Sequence, residues 1–137
     1  MENRTLPVKL EFVPKTYDID FAGVVSNIVY IRWLEDLRCF WLENFFPLQK
    51  QMEQGYAPAV ASTDIKYKIP IKMFSRVKGV MWVKSISRIK YTLCAEIYSD
   101  DIIVATAEQV GCFVGIEDLK PIRIPTELMD LYMEFTI

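Results

Sequence analysis

Asn27 to Phe46 contains neither glycine nor proline, and Pro47 follows it at once. Such a stretch reads as one long helix. Ser26 or Asn27 can cap its start, and Pro47 pushes Phe46 out of the helical region. Its charges, Arg32, Glu35, Asp36, Arg38 and Glu43, gather on one side. The rest is mostly apolar: Ile28, Val29, Tyr30, Ile31, Trp33, Leu34, Leu37, Phe40, Trp41, Leu42 and Phe45. An apolar arc that wide cannot face water, so other structure is expected to wrap the helix on more than one side.

The remaining chain supplies strands to do so. Val8 to Val13 alternates apolar and polar residues. Ala57 to Ile71 alternates too, with Ile65, Tyr67 and Ile69 on one face. Val77 to Arg88 and Ile89 to Tyr98 are rich in β-formers, and Ile102 to Val114 is long with few charges. Tight connections such as Ser99-Asp100-Asp101 favour antiparallel pairing. Pro121 and Pro125 punctuate a tail that ends in a short helix from Thr126 to about Met133. The economical packing is α+β, a curved antiparallel sheet of about five strands wrapped around one long central helix. Residues 1–137 form one domain, since no linker, repeat or low-complexity segment divides them. Val80, Trp82 and Ile86 are left for the far face of the sheet, which favours a homo-oligomer.

Composition removes whole classes of chemistry. The chain has no histidine, so it holds no Ser-His-Asp or Cys-His unit and no imidazole ligand. A net charge of −2 gives no general field for nucleic acid or an anionic membrane. Cys39, Cys94 and Cys112 are far apart and form no CxxC pair, so three reduced thiols and no metal are expected. The residues from Met1 onward show no apolar leader, and no apolar run is long enough to span a bilayer, so a cytoplasmic protein is expected.

Asp20 stands out by position. It lies in Tyr17-Asp-Ile-Asp-Phe-Ala-Gly-Val-Val-Ser-Asn27, a loop that runs into the long helix. A helix start offers free N–H groups and partial positive charge. Those donors can hold a developing oxyanion, while a nearby carboxylate attacks or activates water. By spacing alone, such an aspartate is more often a turn or cap residue.

The same residues carry a resemblance. Tyr17 to Arg38, with Asp-x-Asp-x-x-Gly followed by Asn27-x-x-Tyr30 and an aromatic-rich helix, resembles the signature of the 4-hydroxybenzoyl-CoA thioesterase-like branch of the hotdog-fold thioesterases. Asp64 to Ile71, Ala105 to Val114 and Lys120 to Leu128 extend the resemblance, in order, over almost the whole chain. It implies that Asp20 is the essential carboxylate and that the backbone N–H near Asn27 polarises the thioester carbonyl. It further implies that Gly23 lets the loop approach the substrate and that Asp18 organises the loop. Many relatives have Gly-His-Val-Asn-Asn where this chain has Gly23-Val-Val-Ser-Asn27. A mechanism needing that histidine is therefore excluded. The chemistry survives the loss, because a thiol with a reference pKa near ~8.5 leaves with little protonation.

The implied activity is hydrolysis of an acyl-CoA to free acid and coenzyme A, with Asp20 as nucleophile or general base. No separate cofactor is expected; coenzyme A enters as part of the substrate. Arg88 and Lys90 are the expected phosphate contacts, and Tyr30 and Trp33 the expected pocket residues. Hotdog sites are usually built between two chains, so a dimer or tetramer is expected. Two other readings stay open: hydrolysis of acyl groups on an acyl-carrier protein, and a non-catalytic module that binds an acyl ligand.

Overall fold

The computed structural model describes residues 4–136. Met1, Glu2 and Asn3, part of the stretch in which a leader was sought, lie outside the described residues, as does Ile137. The elements follow in the order β1 (Thr5–Phe12), a 3-10 turn (Thr16–Asp18), α1 (Asn27–Phe45), α2 (Leu48–Glu53), β2 (Tyr56–Tyr67), β3 (Val77–Ile86), β4 (Lys90–Ser99), β5 (Ile102–Gly115), β6 (Pro121–Ile122) and α3 (Thr126–Thr136). The strands form one antiparallel sheet in the order β1-β3-β4-β5-β2, and the two-residue β6 pairs with Phe113 and Val114 of β5. This is the expected α+β hotdog layout. The sequence reading lacked only the short pieces: the 3-10 turn, α2 and β6.

Helix α1 lies on one face of the sheet and runs antiparallel to β2. At its start the Tyr67 hydroxyl donates to the Asn27 carbonyl at 3.4 Å. At its end Phe46 packs against Tyr56 and Phe113, with ring centroids 6.4 and 5.7 Å away. Val29, Tyr30, Trp33, Leu34, Leu37, Trp41 and Leu42 form the buried stripe. Each large apolar side chain taken out of water there contributes roughly 1.5–3 kcal/mol. Trp41 also donates its indole N–H to the Leu6 carbonyl at 3.0 Å, which ties the helix to edge strand β1. The covered arc is narrower than expected. Ile28 is 62% exposed and Ile31 45%.

Two glycines make room for this packing. A Cβ on Gly79 would sit 2.8 Å from Leu37 and 2.9 Å from Phe12. A Cβ on Gly111 would run into the Tyr91 ring. Bulges also set which side chains face the helix. The register shift between Val83 and Ser85 turns Ile86 inward, paired with buried Tyr91. Ile86 is thus a core-side residue, not one of the far face, because one extra residue in a strand reverses the alternation beyond it. Val80 and Trp82 do stay on the far face, where the Arg4 guanidinium lies 3.7 Å over the Trp82 ring.

Gly111→Ala is expected to destabilise the fold by about 1–3 kcal/mol, because Tyr91 is buried and cannot swing into solvent. A denaturant titration measures this. An unchanged midpoint would mean that the ring moves aside freely.

Candidate active site

The segment between β1 and α1 closes on itself through backbone bonds. Ile19 bridges Val25. The Asp20 N–H donates to the Val24 carbonyl at 2.9 Å, and the Gly23 N–H donates to the Asp20 carbonyl at 3.0 Å. Gly23 has φ +80°, a conformation that side chains disfavour. Nothing lies within 4 Å of where its Cβ would be. The turn itself therefore needs glycine here.

The two acids of the loop do different work. Asp18 is buried; its Oδ2 accepts the Lys15 N–H at 2.8 Å, and its carbonyl accepts the Ser26 N–H at 2.8 Å. It fastens the loop's entry to the residue that caps the helix, the organising role expected of it. Asp20 is half-buried. Its Oδ1 accepts the N–H groups of Ala22 at 2.9 Å and Val24 at 3.4 Å. Its Oδ2 accepts no hydrogen bond from the described residues. One oxygen thus positions the carboxylate and the other is available for chemistry.

Ser26 caps α1. Its Oγ accepts the Ile28 N–H at 3.4 Å, and its carbonyl accepts the Val29 N–H at 2.9 Å. Between them the Asn27 N–H meets no acceptor among the described residues. It is an unpaired donor at the positive end of a 19-residue helix. The Asp20 carboxylate holds the Val24 N–H, three residues before Asn27, so it lies within about 14 Å of the Asn27 N–H even along a fully extended chain. The structure brings Asp20, Gly23 and Asn27 into one loop. The Asn27 side chain is exposed, so only its backbone belongs to the arrangement. Residues 68–76 line the loop's outer side: the Val25 N–H donates to the Ile71 carbonyl at 2.8 Å, and Val24 bridges Lys72. Three exposed aromatic residues stand around it, Tyr17, Phe21 and Phe74.

Other expected site residues lie elsewhere. Trp33 is buried and stacks on Phe12, ring centroids 5.0 Å apart. Tyr30 is buried between Trp33 and Tyr67, and burial pushes its phenol above the usual range. Both belong to the stripe that faces the sheet, so in this chain they are core residues and not an open pocket wall. Arg88 sits in the β3–β4 turn and Lys90 opens β4, at the end of the sheet away from the loop. The seven steps from Lys90 to Ile97, whose row ends at Tyr67, span about 24 Å. One chain therefore does not bring Asp20 and Arg88 together. Arg123 was not foreseen: it lines an open groove with Arg88, Ser87 and Thr126. Only its place in Lys120-Pro-Ile-Arg-Ile-Pro hinted at this, since nothing local pairs it with the β3–β4 turn. Among the described residues no cluster of His, Cys, Asp or Glu could hold a metal ion. Cys39, Cys94 and Cys112 are free thiols.

Asp18→Ala is expected to cost about 1–3 kcal/mol of stability, because it leaves the Lys15 N–H without its acceptor. Thermal or chemical denaturation reads this. Asp20→Ala has a weaker effect there, since its loop bonds are more exposed.

Three comparisons bear on this arrangement. The family model described as the thioesterase-like superfamily matches residues 14–131. A protein of Aquifex aeolicus named as an esterase is 26% identical over 116 residues, covering 84% of this chain and 89% of its own. The chloroplastic acyl-acyl carrier protein thioesterase of Arabidopsis thaliana is 26% identical over 135 residues, covering 93% and 68%. Among solved structures, the DHNA-CoA thioesterase of Staphylococcus aureus superposes with a TM-score of 0.87 at 21% identity, covering 95% of this chain and 91% of that one. With a match over most of its length and the hotdog layout on which that family is built, the chain belongs to the thioesterase-like superfamily and is a thioester hydrolase.

Proposed function

We propose that this protein hydrolyses an acyl-CoA to the free acid and coenzyme A, with Asp20 as the reacting carboxylate. The observation that supports this most is the pairing of a carboxylate with one uncommitted oxygen and the unpaired Asn27 N–H in a single loop. The thioester oxygen would sit on the Asn27 N–H, where charge develops as the carbonyl carbon becomes tetrahedral. Asp20 then acts in one of two ways. Its Oδ2 attacks the carbonyl carbon and expels coenzyme A as thiolate, and water cleaves the resulting anhydride. Alternatively Oδ2 takes a proton from water, the water oxygen attacks, and the same thiolate leaves. Neither route needs a histidine, a metal or a cofactor of the protein's own.

The groove with Arg88 and Arg123 is the proposed nucleotide contact, two guanidinium groups suited to phosphate. Lys90, exposed at the start of β4, adds charge at the same end. Because this groove stands away from Asp20 of its own chain, it would serve the Asp20 of a second copy. A homo-oligomer also explains the exposure of Tyr17, Phe21 and Phe74 around the loop. No helix among the described residues is long and apolar enough to cross a membrane, and we place the activity in the cytoplasm.

A second reading has support of its own. Lys66, Lys68, Lys72 and Arg76 are exposed on the segment leading past the site loop. Such a surface suits an acidic acyl-carrier protein, the kind of substrate named for the Arabidopsis relative. In a third reading the protein binds an acyl ligand without turnover.

Thiol release from CoA thioesters of short, medium, long and aromatic acyl groups tests the main reading. Cys39 is exposed and its reaction with the thiol reagent is subtracted first. Wild type is expected to turn over at least one ester. Asp20→Asn is expected to lose about 10²-fold or more in kcat while keeping its melting temperature, a loss of the size seen for groups that act in the transition state. Full activity in Asp20→Asn removes Asp20 from the mechanism. Turnover only on carrier-bound acyl groups selects the second reading, and binding with no turnover the third.

Arg88→Ala and Arg123→Ala are each expected to raise KM about tenfold for a CoA thioester, on the scale of one lost charge-assisted contact. The matching pantetheine thioester, which lacks the nucleotide, is expected to show no change. An equal effect on both would place the arginines outside the nucleotide contact.

A further inference from the structure

Phe21, Phe74 and Tyr17 are the three most exposed large apolar side chains among the described residues, at 104%, 92% and 77%, and all three stand at the site loop. The two phenylalanines occupy neighbouring turns. Phe21 holds the second position of the turn that the Gly23 N–H closes on the Asp20 carbonyl at 3.0 Å. Phe74 holds the third position of the turn that the Ser75 N–H closes on the Lys72 carbonyl at 3.3 Å. The Val24–Lys72 bridge sets the two turns side by side. Such positions ordinarily carry Gly, Asn, Asp or Ser. Phe74 has φ +70°, where glycine is the usual residue. Neither ring packs on the core in return.

The segments that bear these rings are basic. Residues 66–78 hold Lys66, Lys68, Lys72, Arg76 and Lys78 and no acid, and Lys15 lies two residues before Tyr17. Lys15, Lys68, Lys72 and Arg76 are exposed and form no ion pair among the described residues. Most acids at this end are engaged. Asp18 is buried on the Lys15 N–H, Asp100 accepts the Arg76 N–H at 3.1 Å, and Asp101 pairs with Lys78 at 3.1 Å. Glu11 shares a groove with Lys9, and Asp20 is the site carboxylate. The chain's net charge of −2 hides this excess because it is local. Leu119 marks the contrast. It is 72% exposed with φ +56°, yet it follows Glu117 and Asp118 and has no basic surround in its turn beyond Lys120.

We propose that this face docks on a bilayer surface that contains anionic phospholipid. Phe21, Phe74 and Tyr17 enter the headgroup layer, and Lys15, Lys68, Lys72 and Arg76 meet the phosphates. Charge and shape together select this partner. A second copy set ring to ring here would bring cation against cation, and a copy whose groove reaches Asp20 adds Arg88 and Arg123. An acyl-carrier protein offers acidic charge, but a folded partner must also provide a hollow for each projecting ring. A bilayer accepts a ring wherever it projects, and aromatic groups beside basic ones are the usual means of lying on it. The docking goes beyond the thioesterase reading and gives it a source of substrate. A bilayer holds a long-chain acyl-CoA by its methylenes and leaves coenzyme A in water, so the thioester lies at the interface. The turn that carries Phe21 begins at Asp20 and brings the carboxylate to that depth.

Co-sedimentation with vesicles tests this. Wild type is expected to bind vesicles of phosphatidylcholine and phosphatidylglycerol in equal parts ~10-fold tighter or more than vesicles of phosphatidylcholine alone. Phe21→Ser combined with Phe74→Ser is expected to lose ~10-fold or more of that binding. Phe74→Gly, which removes the ring and suits the turn, is expected to lose part of it while melting no lower than wild type. Lys72→Glu combined with Arg76→Glu is expected to abolish the preference for anionic vesicles. Leu119→Ser, at the opposite end of the sheet, is expected to change nothing. No vesicle binding by wild type, unchanged binding by the double serine variant, or an equal loss in Leu119→Ser overturns the proposal. So does a smaller oligomer by light scattering in the double serine variant, which would make the rings contacts between copies. Binding of a purified acyl-carrier protein through the same rings, with no binding of vesicles, also overturns it. Asp20→Asn is expected to bind vesicles as wild type does, so a failure of the thioesterase reading leaves the docking result standing.

Discussion

Seven side chains of α1 leave water together, and the sheet is shaped to receive them. Gly79 and Gly111 supply the hollows, since any side chain there would strike Leu37, Phe12 or Tyr91. Bulges between Val60 and Ser62, Val83 and Ser85, and Ile97 and Tyr98 bend the strands around the same stripe. The Trp41 hydrogen bond to Leu6 fixes the helix along its axis. Leu6 has φ +49° at an irregular point of β1, so the edge strand accepts local strain to offer that carbonyl. Once the helix is held this way, its N-terminus has only one place to be, beside the end of β2 and under the loop that carries Asp20.

The site loop is built by a different rule. Few of its side chains are buried, and its shape comes from backbone bonds and from two aspartates with separate tasks. Asp18 spends its carboxylate on the chain entry, and Asp20 commits one oxygen to the turn and keeps the other. A carboxylate held by one oxygen has a fixed direction without being neutralised by a cation. That suits thioester chemistry, in which the leaving thiolate needs little help and the main demand is a stable home for the oxyanion. The loss of histidine from the sequence therefore costs this reaction little, whereas it would abolish most ester and amide hydrolysis by side-chain relay.

The interior electrostatics are quiet by comparison. Burial raises the phenols of Tyr30 and Tyr91 above their usual range, and the Arg38 guanidinium beside Tyr91 draws the latter partly back. Both stay neutral at physiological pH and act as packing groups with a polar end. Three charged pairs lie on the far face and rim, Arg4 with Glu96, Lys84 with Glu108 and Lys78 with Asp101, while Arg38 pairs with Glu35 along α1. Exposed pairs of this kind contribute little to stability, and the fold rests on the apolar layer between helix and sheet.

The helix and its limits were legible because Asn27 to Phe46 holds no breaker and Pro47 ends it. The long strands were legible from their β-rich, largely alternating sequences. The chemistry proposed for the loop came from the resemblance that its Asp-x-Asp-x-x-Gly carries, since by spacing alone Asp20 reads as a turn residue. Three things were not. Ile86 reads as a far-face residue until a bulge shifts its register, and bulges leave no mark in periodicity. Tyr30 and Trp33 read equally well as pocket or core, because one stripe of a helix looks the same from sequence whichever surface it meets. Arg88 and Arg123 are neighbours only through strand pairing across long separations. The sequence by itself determined the helix, the strand set, the absence of imidazole chemistry and the loop that bears Asp20, because each depends on local spacing. Tertiary structure alone decided which oxygen of Asp20 is free, which N–H at the helix start is unpaired and which distant side chains share a groove, because each depends on how the sheet curves around α1.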